Sequence, residues 1–216
     1  MLKRLSALCF VATFCTLLAP VGARATPATE AFIQQNFDKG YLILNNISLS
    51  EAQRREQFRA FLLNLAASRR IALFTLGTYA AGATPADAEI FVEAFTNYSV
   101  AVYEKGLNRY QGQALKVTGS SDRATDDSVV RAEVVSPNRS NGQSIKVAFR
   151  VRHNESGAPT ITDIQIEGVS LAITERDDFT AYLQQHKGSV PQLSKRLNAL
   201  SDEVTWMAAT VPTPRV

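Results

Sequence analysis

The segment from residue 145 to residue 152 has a period of two, and this constrains the fold more than any other feature of the chain. Every odd position is apolar, and three of the four even positions carry Lys or Arg. Such alternation predicts a β-strand with one buried side and one solvent-facing side. Asn141-Gly142 before it is a strong hairpin signal, and residues 153–157 form a second predicted turn. We therefore predict about four short antiparallel strands.

Apolar residues follow a helical spacing in the first half of the chain and again near its end. Ser50 and Gln53 predict a capping box at the start of one helix. Thr84-Pro85 combines an N-cap with proline at the first helical position, as a long helix to about residue 107 requires. Ser68 and Thr174 are the N-caps expected for two more helices.

The middle of the chain supplies the remaining strand candidates. Ala114–Thr118 is predicted as a short strand and Val129–Val135 as a longer one, whereas Gly119–Asp122 is predicted as a turn. Gly188 is expected to end the helix that follows the sheet. Helices, then a short antiparallel sheet, then helices indicate an α+β domain in which apolar helix stripes cover the apolar side of the sheet.

Residues 1–25 are predicted to be a secretory signal peptide rather than part of the fold. A basic start is followed by the uncharged apolar run Leu5–Ala19, and Ala23-Arg24-Ala25 provides the small residues of a cleavage site after Ala25. An N-terminal membrane anchor is the alternative, but the run is short for a hydrocarbon core of about 30 Å. We expect one domain over residues 26–209 and a flexible tail over residues 210–216.

Cleavage changes what the composition implies. The leader holds three of the 23 basic residues and none of the 20 acidic ones, so the formal charge of +3 falls to zero. Net charge then gives no argument for nucleic acid or for an anionic membrane as partner. Cys9 and Cys15 leave with the leader, which excludes disulfides, thiol nucleophiles and thiolate metal sites in the mature protein.

Residues suited to catalysis are scarce. His153 and His186 are the only histidines, and their separation makes a metal site improbable. Asp126-Asp127 and Asp177-Asp178 are sequence neighbours whose side chains diverge, so neither is expected to act as a catalytic dyad. Hydrolase, phosphate-binding and dinucleotide-binding motifs are absent. We therefore predict that the protein is not an enzyme and has no cofactor or metal.

The aromatic residues leave two interpretations open. Eleven Phe and six Tyr occur in the chain, most of them on one side of a predicted element. They either fill a packed core or line a hollow one that holds an apolar ligand, and periodicity does not separate these cases because both use the same residues.

Two stretches resemble a known family. Asp163–Leu171, with the sequence DIQIEGVSL, is followed by Arg176, Phe179, Gly188 and a leucine pair at 193 and 197. This run resembles the signature of the MlaC family, also called the toluene-tolerance auxiliary substrate-binding family. The second stretch comprises the residues Phe74–Tyr79, Phe91–Phe95, Tyr103–Tyr110 and Gly112. Pro159–Ile161 and Thr174-Glu175 depart from the family pattern, as in a divergent, HpnM-like branch.

The resemblance implies a periplasmic lipid carrier. Members of the family have a curved antiparallel sheet with helices packed over one face, an NTF2-like shape, and hold phospholipid tails between sheet and helices. It implies a monomer that exchanges lipid between an outer-membrane lipoprotein complex and an inner-membrane ABC transporter of the MCE type, so supporting outer-membrane lipid asymmetry. A hopanoid cargo, a packed periplasmic adaptor and an NTF2-like enzyme using Glu133 or Asp163 remain as alternatives.

The apolar stripes then predict the residues that contact lipid. Arg176 matches the family arginine and is expected near the headgroup, with a surface ion pair to Asp177 or Glu175 as the alternative. Gly168 is expected to permit a bend or a bulge. The predicted wall comprises Phe58, Leu62, Phe74, Phe91, Phe95 and Tyr98 from the helices, Val147, Phe149, Val151, Ile164, Ile166 and Val169 from the sheet, and Tyr182 and Leu183 at one end.

Overall fold

A computed structural model describes residues 27–107, 113–136 and 144–210, with the backbone alone for residues 104, 106–107 and 204–210. The leader, the Asn141-Gly142 turn and residues 211–216 of the tail lie outside the described residues. The helices are α1 (Pro27–Leu44), α2 (Glu51–Leu65), α3 (Ser68–Thr75), α4 (Pro85–Leu107), α5 (Leu171–Gln185) and α6 (Val190–Thr210), with a 3-10 helix over Gly77–Gly82. The strands are β1 (Ala114–Ala124), β2 (Asp127–Val135), β3 (Ile145–His153), β4 (Pro159–Ile166) and β5 (Val169–Ser170).

The strands form one open, curved antiparallel sheet in the order β1-β2-β3-β4-β5. The predicted α+β class is confirmed, and the short β5 adds one strand to the expected four. On β3, Phe149 pairs with Val130 of β2 and Ile164 of β4, which places all three on the same apolar face. The charged residues of β3 lie on the opposite face, as the alternation predicts. None of the described helices has both the length and the apolar content that a bilayer crossing needs.

Strand β1 is longer than predicted. The expected turn Gly119–Asp122 lies inside it, because the pairing with β2 shifts between Val117 and Gly119 and leaves Thr118 as an extra residue. Gly119 has φ +145°, which a side-chain-free residue adopts at little cost. The residues that favour a turn are therefore accommodated in a bulge instead of ending the strand.

Two predicted helix starts are confirmed. The Ser50 hydroxyl accepts from the Gln53 amide at 3.3 Å, and the Ser50 amide donates to the Gln53 side chain at 2.9 Å. The Asp87 amide donates to the Thr84 hydroxyl at 3.1 Å where α4 begins. These contacts satisfy amides that the first helical turns leave without partners.

Two other predicted caps are wrong. Helix α3 begins at Ser68 itself, because the Ala67 amide donates to the Ile161 carbonyl at 3.0 Å and holds the preceding link extended against β4. Helix α5 begins three residues earlier than expected, with the Ser170 hydroxyl accepting from the Ile173 amide at 3.1 Å. Thr174 lies inside the helix and donates to the Ser170 carbonyl.

Glycine is required at two turns. Gly188 follows α5 with φ +71°, its amide donates to the Leu183 carbonyl at 2.8 Å, and a Cβ there would lie 3.0 Å from the Tyr79 ring. Gly168 has φ +83° and open space around it. Together with Glu167 it makes the two-residue turn between β4 and β5, so the expected bend is confirmed.

We predict that Gly188→Ala destabilises the protein more than Gly168→Ala. Both substitutions place a side chain at positive φ, which costs about 1–2 kcal/mol. Gly188→Ala adds a clash with the Tyr79 ring, which lies in a helix contact and costs about a further 1–3 kcal/mol. Denaturant unfolding of both variants measures the difference, and equal losses would contradict the assigned contact.

Candidate functional site

The apolar residues form two separate clusters instead of the single core expected of a small domain. The first, called the helix cluster, consists of buried residues from α3 to α6: Ala72, Leu76, Phe91, Ala94, Phe95, Phe179, Leu183, Val190, Leu193 and Leu197. The second, called the sheet cluster, joins α1 to the apolar face of the sheet through Ile33, Leu115, Val130, Ala132, Val151 and Ile161.

Aromatic rings organise the helix cluster. The Phe179 ring meets Phe91 edge to face at 6.1 Å and Phe95 at 6.3 Å, a favourable geometry for aromatic pairs. Tyr98 and Tyr182 pack at the margin of this cluster. The predicted wall residues Phe91, Phe95, Tyr98, Tyr182 and Leu183 therefore pack among helices.

The sheet cluster holds the second group of predicted wall residues. Val151 is buried within it, and Phe149 and Ile164 are half-buried at its margin. Ile33 of α1 packs on one part of the apolar face. The part of this face on β3 and β4 is less completely covered, which leaves apolar surface available to a ligand.

A third set of buried apolar residues belongs to neither cluster. Helix α2 packs against both α4 and β4 and so connects the two halves of the protein. Its Phe58 is 2% exposed, and Val147 of β3 is 9% exposed. Leu62, one turn beyond Phe58, is half-buried. We call this junction the seam and define it by Phe58, Val100, Ala101, Val147 and Ala172.

An apolar path leads from the seam to the surface. Val147 pairs with Ile166 of β4, and Ile166 pairs in turn with Val169 of β5. Exposure rises along this series from 9% to 41% and 58%. Ile173 at the start of α5 is also exposed. The residues Ile166, Val169 and Ile173 are called the rim.

Sequence reasoning missed part of the seam. Val100, Ala101 and Ala172 are buried there, whereas Val102, which the predicted stripe of α4 included, is 39% exposed. The available signal was the pair of alanines at 94 and 101, which are two helical turns apart and both buried. Small residues carry little weight in a hydrophobic pattern, although close helix contacts select them.

Anionic and phenolic groups lie between α4 and α5. Burial raises the pKa of the half-buried Glu175 carboxyl, and the nearby Asp178 raises it further. Burial, with Glu175 and Asp163 as smaller causes, raises the pKa of Tyr103 to about 12. Burial also raises the pKa of Tyr98, with help from Glu175 and Asp178. Ionised Glu175 is therefore a cost that the fold tolerates.

Neither carboxyl nominated for an enzyme faces the apolar interior. Glu133 pairs with Lys146 on the polar face of the sheet and accepts a hydrogen bond from Ser144. Asp163 pairs with Arg150 on the same face, and its Oδ1 accepts from the Ala172 amide at 3.2 Å. In the described parts of the chain, no three His, Cys, Asp or Glu residues are arranged to hold a metal ion.

Arg176 joins the two stretches that carry the family resemblance. Its guanidinium lies 5.2 Å from the centre of the Phe74 ring, and its Nη2 lies 3.4 Å from Asp177. Gly77 allows this approach, since a Cβ there would lie 3.6 Å from Arg176 Cγ. Phe74 itself is 43% exposed, outside the helix cluster. A headgroup contact by Arg176 stays a prediction.

The arrangement defines a class of protein. An open curved sheet and a helix cluster enclose an apolar seam that opens at an apolar rim, and the groups around it are suited to binding an apolar ligand. The sequence model of the MlaC protein family matches residues 34–199. The chain belongs to the MlaC family, a family of lipid-binding transport proteins, which confirms the resemblance.

The fold also resembles a solved structure. It is similar to a phospholipid-binding protein from Ralstonia solanacearum, determined in complex with a phospholipid, with a TM-score of 0.68 and 21% sequence identity. The similarity covers 82% of this chain and 98% of the other. At this level of identity the comparison concerns the fold.

We predict that Glu175→Gln raises the melting temperature at about pH 7.5 and that this gain disappears toward about pH 4. A carboxyl whose pKa is raised by folding destabilises the folded state while it is ionised, and the cost is lost as pH falls through the folded pKa toward the model value of 4.5. Thermal melts over this pH range measure the effect.

Asp202→Asn, at an exposed position of α6, is the matched control. It removes a carboxylate that is not buried, so its melting temperature should follow the wild type at every pH. A pH-independent gain in Glu175→Gln would mean that packing, not charge burial, is responsible.

Proposed function

We propose that this protein is a periplasmic phospholipid carrier that holds acyl chains in the seam and exchanges its lipid at the rim. The observation that carries the proposal is the continuous apolar series Val147–Ile166–Val169, whose exposure rises from the interior to the surface. The phospholipid in the similar solved structure supports the same class of cargo. A hopanoid is the second cargo to test, since Pro159–Ile161 and Thr174-Glu175 depart from the family pattern.

The energetics of lipid explain why a carrier needs such a site. At about 0.8 kcal/mol per methylene, the roughly thirty methylenes of a diacyl lipid cost about 24 kcal/mol in water. A bilayer offers the same shelter, so the net free energy of transfer is a small difference between large terms. Release and uptake then depend on docking partners. We infer that these are an outer-membrane lipoprotein complex and an inner-membrane ABC transporter of the MCE type.

Export is part of the proposal. Cleavage after Ala25 would leave a mature chain without cysteine and with no formal net charge. Such a chain gains nothing from the oxidising environment and has no electrostatic preference for anionic bilayers, so its lipid contacts are apolar. This fits a protein that carries lipid through an aqueous compartment without remaining on either membrane.

We predict that the mature protein, purified without detergent, carries lipid. Native mass spectrometry followed by solvent extraction identifies the cargo. One or two diacyl phospholipids per chain are the expected result, whereas a hopanoid would keep the carrier and change its cargo. Bare protein that also takes up no lipid from vesicles would favour the adaptor.

We predict that Ile166→Asp abolishes lipid retention without unfolding the protein. Ile166 is 41% exposed, so a carboxylate there is solvated in the empty protein but would be buried against an acyl chain. Phe149→Asp, deeper on the same face, should act in the same direction with a larger loss of stability. Bound lipid per folded chain is the measurement.

Ala148→Asp is the matched control for both variants. Ala148 is the neighbour of Phe149 on β3 and pairs with Arg131 and Gln165 on the polar face. It should retain lipid at the wild-type level. Loss of lipid in all three variants would indicate general damage to the sheet, and retention in Ile166→Asp would remove the rim from the proposed path.

A further inference from the structure

Phe58 is the most buried side chain of an otherwise exposed helix. Helix α2 has the sequence EAQRREQFRAFLLNL, and Phe58 is its one residue in the buried class. Its side chain is 2% exposed, whereas Leu63 on the same helix is 42% exposed. The burial of α2 at this point therefore depends on a single aromatic ring.

That ring is also the largest side chain of the seam. The other four members are two valines, Val100 and Val147, and two alanines, Ala101 and Ala172. A phenyl ring placed among such small groups accounts for most of the side-chain volume at the junction. Space in the seam is therefore controlled by residue 58 more than by any other member.

The position of Phe58 relates this volume to the apolar path. An acyl chain that enters at the rim passes Ile166 and then Val147, and Val147 and Phe58 are buried in the same junction. We propose that Phe58 determines the length of acyl chain that the seam accepts, an inference that rests on the proposed carrier function. The ring limits the depth of the seam, so a smaller residue admits a longer chain and a larger residue excludes it.

The neighbouring ring provides a matched control on the same helix. Phe61 lies 5.9 Å from Phe58, between ring centres, but contacts α1, where a Cβ on Gly40 would lie 3.1 Å from the Phe61 ring. Phe61→Ala removes the same group from α2 without enlarging the seam. Any effect of general loosening of α2 should therefore appear in both variants, and an effect on chain length in Phe58→Ala alone.

The experiment is a competition for uptake by the full mature protein. Delipidated wild type, Phe58→Ala, Phe58→Leu, Phe58→Trp and Phe61→Ala are each incubated with vesicles of equimolar dimyristoyl and distearoyl phosphatidylcholine. Native mass spectrometry gives the ratio of bound distearoyl to bound dimyristoyl lipid. Circular dichroism and melting temperature establish that each variant is folded.

We expect Phe58→Ala to raise the distearoyl-to-dimyristoyl ratio by about threefold or more over wild type, because each methylene that gains a buried site adds measurable affinity. Phe58→Trp should lower the ratio, and Phe61→Ala should leave it unchanged. If Phe58→Ala does not fold, Phe58→Leu decides the question, since it retains a large apolar side chain and should raise the ratio in the same direction.

The outcomes separate this inference from the proposed function. Wild type that binds lipid, with unchanged ratios in the folded Phe58 variants, overturns the role of Phe58 and leaves the carrier intact. Equal shifts in Phe58→Ala and Phe61→Ala also overturn it, because the effect then belongs to α2 as a whole. Wild type that binds neither lipid removes the carrier function and this inference together.

Discussion

The apolar face of the sheet is the constraint on which the rest of the structure depends. Each of the central strands presents aliphatic or aromatic residues to one side, and this surface has to be removed from water. Helix α1 covers one part through Ile33, and the sheet cluster forms there. The remaining helices, however, bury their own stripes mainly against one another. The part of the face on β3 and β4 is left at a junction between two cores.

This division explains how a small domain holds a ligand without a catalytic apparatus. A single packed core would have no interior space, because protein interiors have the packing density of organic crystals. Two cores connected by α2 leave a seam whose walls are apolar and whose rim is exposed. The charged residues of β3 point to the other face, where Asp127 and Arg150 form a bidentate ion pair at 2.6 and 2.9 Å. The polar and apolar functions of the sheet are thereby separated by strand geometry alone.

The motifs that identify the family act largely on the helix cluster. Arg176 lies over Phe74 and beside Gly77, and Gly188 approaches the Tyr79 ring so closely that a side chain would clash. Phe179 lies at the centre of the three-ring group. These residues fix how α5 packs against α3 and the 3-10 helix. A motif therefore identifies the fold here by conserving a helix contact, whereas the seam residues carry no distinctive sequence pattern.

Local patterns predicted those features that depend on local interactions. The capping box at Ser50, the N-cap at Thr84, the alternation of β3 and the helix stop at Gly188 each involve neighbours within a few residues, and all are present. The predicted turn at Gly119–Asp122 failed because pairing with β2 stabilises a bulge there. The cap at Ser68 failed because a contact with Ile161, distant in the sequence, determines where α3 begins.

The sequence by itself determined the α+β class, the buried side of each central strand and the apolar stripes of the helices. Only the tertiary structure decided how those stripes are divided. Phe91 and Phe149 follow equally clear patterns, yet one lies in the helix cluster and the other borders the sheet cluster, and Phe58 belongs to neither. The physical reason is that the hydrophobic effect is not directional. A periodic pattern states that a residue is removed from water, and the packing of distant elements decides what covers it.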